Sequence, residues 1–314
     1  MLALDTLCLL GALIAATLEP AACPSFPTDP AQLVPSTATA VLGIDVDGFA
    51  KTSTGKALLP ALRADLQLSE ALEILDDCQL ALERTYAVTL ARDPTDGRFA
   101  VVQARGVATK ATLDCLAAEL RARNGGTTPW TVEPQTCATS LVFGDGSRAW
   151  VINDYTLVWA RGGFVDPVAA RLEGREPLAL PASLTREFGR LDRSGHVWLA
   201  AHLDDDDRRT LPGAWADEAT SITAALDLSE GLRATFSVSA ASVTALANLR
   251  ELTIAGLLDL ANRLDEYGVE HRLRERARLG IIDGVVGAEI VLDEAELRSI
   301  RAKIGERVVG RGPL

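Results

Sequence analysis

The sequence is short of the residues that build most recognisable sites. It holds 3 histidines and 1 methionine, and only 5% of it is aromatic. Its five cysteines, Cys8, Cys23, Cys78, Cys115 and Cys137, form no C-x-x-C pair and have no histidine beside them, which removes the usual zinc-site patterns. G-x-S-x-G, H-E-x-x-H and a strand-linked G-x-G-x-x-G are all absent, so no hydrolase, zinc-protease or dinucleotide signature is present. Thr52-Ser53-Thr54-Gly55-Lys56 approaches a phosphate loop but has Ala50 where the first glycine belongs and Ala57 where Ser or Thr is required. It reads as a helix start. Lysine occurs only at Lys51, Lys56, Lys110 and Lys303, and the net charge is −12. That balance disfavours nucleic acid and anionic lipid surfaces, both of which need a basic footprint.

What is present begins with a leader. Leu7 to Leu18 is uncharged and apolar; at about 1.5 Å per residue it spans roughly 18 Å, short of a bilayer core of about 30 Å. Ala21 and Ala22 suit a cleavage site, so residues 1–22 read as a signal peptide. The segment before the run carries Asp5 and neither Lys nor Arg, which a start codon assigned downstream of the true one would explain. Ala21-Ala22-Cys23 resembles the tail of a lipobox, with Pro20 at the position usually held by a Leu-like residue. Cys23 is therefore expected to carry lipid and anchor the chain to a membrane. Residues 23–36, rich in proline, are expected to form a disordered linker.

Hydrophobic residues make up 48% and charged residues 24% of the chain, a balance that folds. Thr39 to Val46 is β-rich, and a helical stretch follows from about Ser53 to Asp77. Tyr86–Ala91 and Arg98–Ala104 read as strands joined by the turn Asp93-Pro94-Thr95-Asp96-Gly97. Thr109 can cap a helix running to Arg123, and Trp130–Glu133 supplies a further strand. This order, β-α-β-β-α-β, is that of a split βαβ unit. Three more strands between Leu141 and Ala160 extend it as a meander, and Gly174 to Pro181 reads as a boundary. The second half repeats the scheme, with His196–Asp204 in the place of Ala40–Asp47. Ser242 caps a long helix to about Tyr267, and Asp293 with Glu296 forms a capping box for a last one. The fold class expected is α+β: two tandem split βαβ, ferredoxin-like repeats with antiparallel sheets, over 37–175 and 176–314, the first extended by the meander.

In a split βαβ unit the two helices run antiparallel, so the end of the first lies near the start of the second. Cys78 and Cys115 occupy those places, and a disulfide between them is expected. His196 and His202 share a strand face but lie about 20 Å apart, too far for one metal ion. Asp204 to Asp207 reads as a solvated loop or the acidic start of a helix. His271 among Arg272, Arg274, Arg276 and Arg278 reads as an exposed basic helix. No catalytic, cofactor or metal residue is assigned.

The stretch Val34 to Val46, the placement of Cys78 and Cys115 and the strand His196-Val197-Trp198-Leu199-Ala200-Ala201 resemble a group of exported proteins and lipoproteins of Gram-negative bacteria. The group has no established activity, so the resemblance implies a compartment, periplasmic or outer-membrane-anchored, more than a function. The expectation is a cell-envelope lipoprotein, non-enzymatic, with a binding or structural role. The alternatives are a periplasmic carrier of a small apolar ligand, its pocket under the helix Ser242–Tyr267, and a hydrolase without a recognisable motif.

Overall fold

The computed structural model describes residues 23–310 other than 24, 58–72, 81, 124, 136, 211–217, 267 and 270. The expected signal peptide, 1–22, lies outside the described residues, as does the middle of the expected helix between Ser53 and Asp77.

The strands are β1 (Ala40–Asp45), β2 (Thr85–Arg92), β3 (Arg98–Ala104), β4 (Trp130–Pro134), β5 (Thr139–Phe143), β6 (Arg148–Asn153) and β7 (Thr156–Arg161) in the first half. The second half supplies β8 (Val197–His202), β9 (Ala219–Asp227), β10 (Leu232–Ala240), β11 (Arg278–Ile282) and β12 (Val285–Leu292). They form one 12-stranded sheet in the order β11-β12-β10-β9-β8-β1-β2-β3-β7-β6-β5-β4. Every neighbouring pair is antiparallel. The helices used below are α1 (Val46–Lys51), α2 (Lys110–Arg123), α3 (Val165–Leu172), α4 (Asp205–Thr210), α5 (Val243–Glu266) and α6 (Glu294–Gly310).

This is a mixed fold with a large antiparallel sheet, but its strand order is not that of a split βαβ unit. Such a unit keeps its first two strands parallel with another between them. Here β1 lies directly beside β2 and antiparallel to it, from Ala40↔Arg92 to Asp45↔Ala87. The helical excursion after β1 returns the chain to the neighbouring position. The two halves are also not separate sheets, because β1 pairs with β8 from Ala40↔Ala201 to Ile44↔Val197. From that seam each half runs outward in the same way: three strands in meander, a helix, then strands returning to the third strand's free edge.

Side-chain alternation sorts the sheet into two faces. The front face carries Val41, Phe99, Val101, Trp150, Val158 and Ala200, all buried. It is covered by α3, by residues 178–191 and by the N-terminal segment. That segment corrects the expected disordered linker. Asp29 caps a 3-10 turn over Pro30–Leu33, with proline at its start where no N–H is needed. Ala31, Leu33 and Val34 are fully buried against the sheet. The buried Arg171 of α3 secures the strap by donating to the carbonyls of Gln32 at 2.8 Å, Val34 at 2.5 Å and Ala179 at 3.0 Å. The segment is proline-rich and ordered, because its intervening residues are apolar and its carbonyls are satisfied.

The back face is covered at its two ends. Leu80, Val107, Ala108 and Leu116 pack on Val102, Val151 and Leu157 at the first-half end. Leu249 of α5 packs on Val238 and Val286 at the other. The interface under α5, anticipated as a carrier's pocket, is filled by these side chains. The capping box at the start of α6 forms as expected: Asp293 Oδ1 accepts from Glu296 N at 3.0 Å, and Glu296 Oε2 accepts from Asp293 N at 2.8 Å.

Candidate functional site

Between those two covered ends, the middle of the back face is open among the described residues. One register row crosses five strands: Leu199 pairs with Leu42, Leu42 with Leu90, Leu90 with Ala100, and Ala100 with Trp159. Partners in a register share a face, so this row is a continuous apolar strip about 19 Å across, at about 4.8 Å per strand. It floors a groove of about 490 Å³. Leu90, on the central strand of the strip, remains 38% exposed.

Two residues along, the same face changes character. Ala40 pairs with Arg92, Arg92 with Arg98, and Arg98 with Arg161. Three arginines are therefore register neighbours on β2, β3 and β7 at one end of the apolar strip, and Arg92 and Arg98 line the groove. Arg92 pairs with Asp207 of α4. Arg161 has Asp96 and Asp145 only at 3.9 Å and 3.7 Å. Arg98 donates to the carbonyls of Gly97 at 2.9 Å and Asp93 at 3.3 Å, and among the described residues it has no carboxylate partner.

The turn between β2 and β3 sets this row. Asp93 Oδ1 accepts from Thr95 N at 2.9 Å, Thr95 Oγ1 at 2.8 Å and Gly97 N at 2.8 Å. Burial pushes its carboxyl up, but the bonds from the Thr95 hydroxyl and from the Gly97 and Thr95 amides together outweigh it and hold the group below the usual range. A fixed turn fixes which residues of β2 and β3 face each other.

The residues singled out from sequence are mostly structural. Cys78 and Cys115, the expected pair, are disulfide-bonded with Cα atoms 5.6 Å apart. Cys23 is bonded to Cys137, with Cα atoms 5.2 Å apart, which ties the N-terminal strap to the sheet. The Cys23–Cys137 disulfide and the expected lipid at Cys23 exclude each other, because a thioether-linked lipid needs the same sulfur that the disulfide occupies. The expected basic helix around His271 is instead a one-turn helix, Leu273–Arg276, followed by strand β11. Its arginines are engaged: Arg274 with Asp265 at 2.7 Å, and Arg276 with Glu296 at 2.7 Å and Asp293 at 3.1 Å. His271 Nε2 lies 3.1 Å from Asp265 Oδ1. His196 is buried, its Nδ1 accepting from Leu228 N at 3.1 Å. His202 is the last residue of β8, where it pairs with Ser221, and Asp204 caps α4 by accepting from Asp207 N at 2.7 Å.

A second open trough, about 600 Å³, lies on the front face over β10, β11 and β12. Its arginines are spent within the fold: Arg233 binds Glu289 at 2.8 Å, and Arg190 donates to the Asp283 carbonyl at 3.1 Å. Among the described residues no cluster of three or more His, Cys, Asp or Glu is arranged for a metal ion, and no helix is long and apolar enough to cross a membrane.

The arginine row was invisible in the sequence. Arg92, Arg98 and Arg161 sit at strand ends, where single charges are ordinary. Only the register places them side by side.

No protein-family model matches the chain. No curated protein matches it either. Among solved structures, crystal form IV of TP0453 is similar, with 13% identity and a TM-score of 0.50 over 88% of this chain and 97% of that one. Crystal form I of TP0453 gives 13% identity and a TM-score of 0.48 over 88% and 98%. At that identity the likeness to crystal form IV extends to the fold alone.

Proposed function

We propose that this chain is an exported, non-enzymatic binding protein whose ligand site is the apolar groove on the back of the sheet. The observation that carries the reading is the strip Leu199–Leu42–Leu90–Ala100–Trp159. Exposed apolar strips on central strands cost free energy unless something covers them. The groove's volume of about 490 Å³ lies within the usual range for small-molecule sites, about 300–1,000 Å³. Export is supported by the two disulfides, which persist in oxidising compartments, and by the leader-like residues 1–22. The matching order of elements outward from the β1–β8 seam supports an internal duplication, with β8 of the second half joining β1, β2, β3 and β7 in the groove floor.

The test is titration with a neutral apolar fluorophore, N-phenyl-1-naphthylamine. Saturable binding at one site per chain is expected. Ala100→Phe, which fills the floor, should weaken it at least tenfold while leaving the circular dichroism spectrum unchanged. Non-saturating binding, or full binding by the filled variant, would overturn the reading.

A further inference from the structure

We infer that the ligand of this groove is a long-chain carboxylate, held with its head at the arginine row and its chain along the apolar strip. The inference rests on the groove being a ligand site and adds what the ligand must be.

The row holds one cation, Arg98, that no described carboxylate compensates. Like charges directly opposite each other on adjacent strands are destabilising. Here Arg92 faces Arg98, and Arg98 faces Arg161, in a chain whose net charge is −12. Asp207 serves Arg92 at one end of the row, and Asp96 and Asp145 stand at 3.9 Å and 3.7 Å from Arg161 at the other, which leaves Arg98 between them with no carboxylate among the described residues. Among the described residues the central cation, Arg98, bonds backbone carbonyls alone and uses one guanidinium nitrogen to do so. Its remaining N–H donors match the fork that binds a carboxylate through two parallel bonds.

The apolar strip begins one register row away, about 6.6 Å along the strands. Leu90 and Ala100 follow Arg92 and Arg98 on the same face, and Trp159 follows Arg161. A molecule with an anionic end and a single alkyl chain meets both features at once. A neutral apolar molecule leaves Arg98 unanswered, and a small anion leaves the strip exposed. The groove's limited volume favours one chain over the two of a phospholipid.

The test uses displacement of the bound fluorophore by laurate and by 1-dodecanol, which share a chain and differ in the head. On the wild-type protein laurate should displace at roughly tenfold lower concentration, about 1.4 kcal/mol. Arg98→Gln should erase that preference and leave dodecanol unchanged. Because Arg98 also braces the turn, Arg161→Gln serves as a second variant and should narrow the preference about threefold. Equal displacement by the two ligands, or a preference that survives both substitutions, would overturn the carboxylate head and leave the groove standing. Displacement by neither, in a protein that does not bind the fluorophore, would remove the groove itself. Binding to phosphatidylglycerol vesicles with no uptake of free laurate would overturn the inference in favour of a lipid surface.

Discussion

The indole of Trp198 lies directly over Gly43 across the seam between β1 and β8. The two residues are register partners, and a Cβ built at Gly43 would stand 2.1 Å from Trp198 Cε2. The glycine is needed for space and not for backbone conformation. The ring is held there by Phe188, edge-on at 5.8 Å between centroids, and by the Arg193 guanidinium 5.6 Å from its centre. This contact joins the halves of the sheet on the face opposite the groove.

Gly43→Ala is therefore expected to lower stability by about 1–3 kcal/mol, the usual cost of forcing extra volume into a packed site. Urea unfolding followed by circular dichroism measures it. Trp198→Phe, introduced together with Gly43→Ala, should recover part of the loss, since a smaller ring leaves room for the methyl group. A single variant as stable as the wild type would mean the ring does not sit on the strand.

The cysteines give a second prediction. Thiol alkylation of the unreduced protein should leave Cys23, Cys78, Cys115 and Cys137 unlabelled, and reduction should expose all four. An acylated Cys23 would leave Cys137 free to label, so this measurement also decides the anchor. Replacing Cys78 and Cys115 by serine opens a crosslink spanning 37 residues in sequence and should cost about 3–4 kcal/mol in the chain-entropy account. Replacing Cys23 and Cys137 opens one spanning 114 residues, a larger loss of about 4–5 kcal/mol by the same account.

Those cysteines show what was legible in the sequence. The elements themselves were: β2 and β3 with their Asp-Pro turn, the capped α2, the meander, the long α5 and the capping box of α6 all stand where local pattern put them. Pairing was not. The order β-α-β-β-α-β is common to the split βαβ unit and to the meander found here, and local propensity does not say which strand lies beside which. The Cys78–Cys115 pair was reached through antiparallel helices, and the two helical segments do share the back face, although the sheet beneath them has another order. Strand β11 was missed because the alternating arginines that lead into it, Arg272 to Arg278, suit a basic helix as well as an edge strand. The N-terminal strap was read as disordered from its prolines. What orders it is Arg171, a residue 137 positions from the Val34 carbonyl it binds. The candidate site lay beyond reach for the same reason: it is a property of register.

The turn that sets that register carries the last prediction. Asp93 is 8% exposed, and its carboxylate accepts three hydrogen bonds from Thr95 and Gly97. These hold its pKa below the usual value of 3.8. An acid whose folded pKa is depressed stabilises the fold fully above the unfolded pKa, and the contribution is lost as pH falls through the folded one. Asp93→Asn keeps an acceptor in place but removes the charge, and charged acceptors make the stronger bonds. The variant should be less stable by about 1 kcal/mol at pH 7. That gap should close as pH falls below about 4. Urea midpoints measured from pH 7 down to pH 2 read both effects. A gap that stays constant across the range would show that the three bonds do not depend on the charge, and the turn would then owe its shape to Pro94 and Gly97 alone.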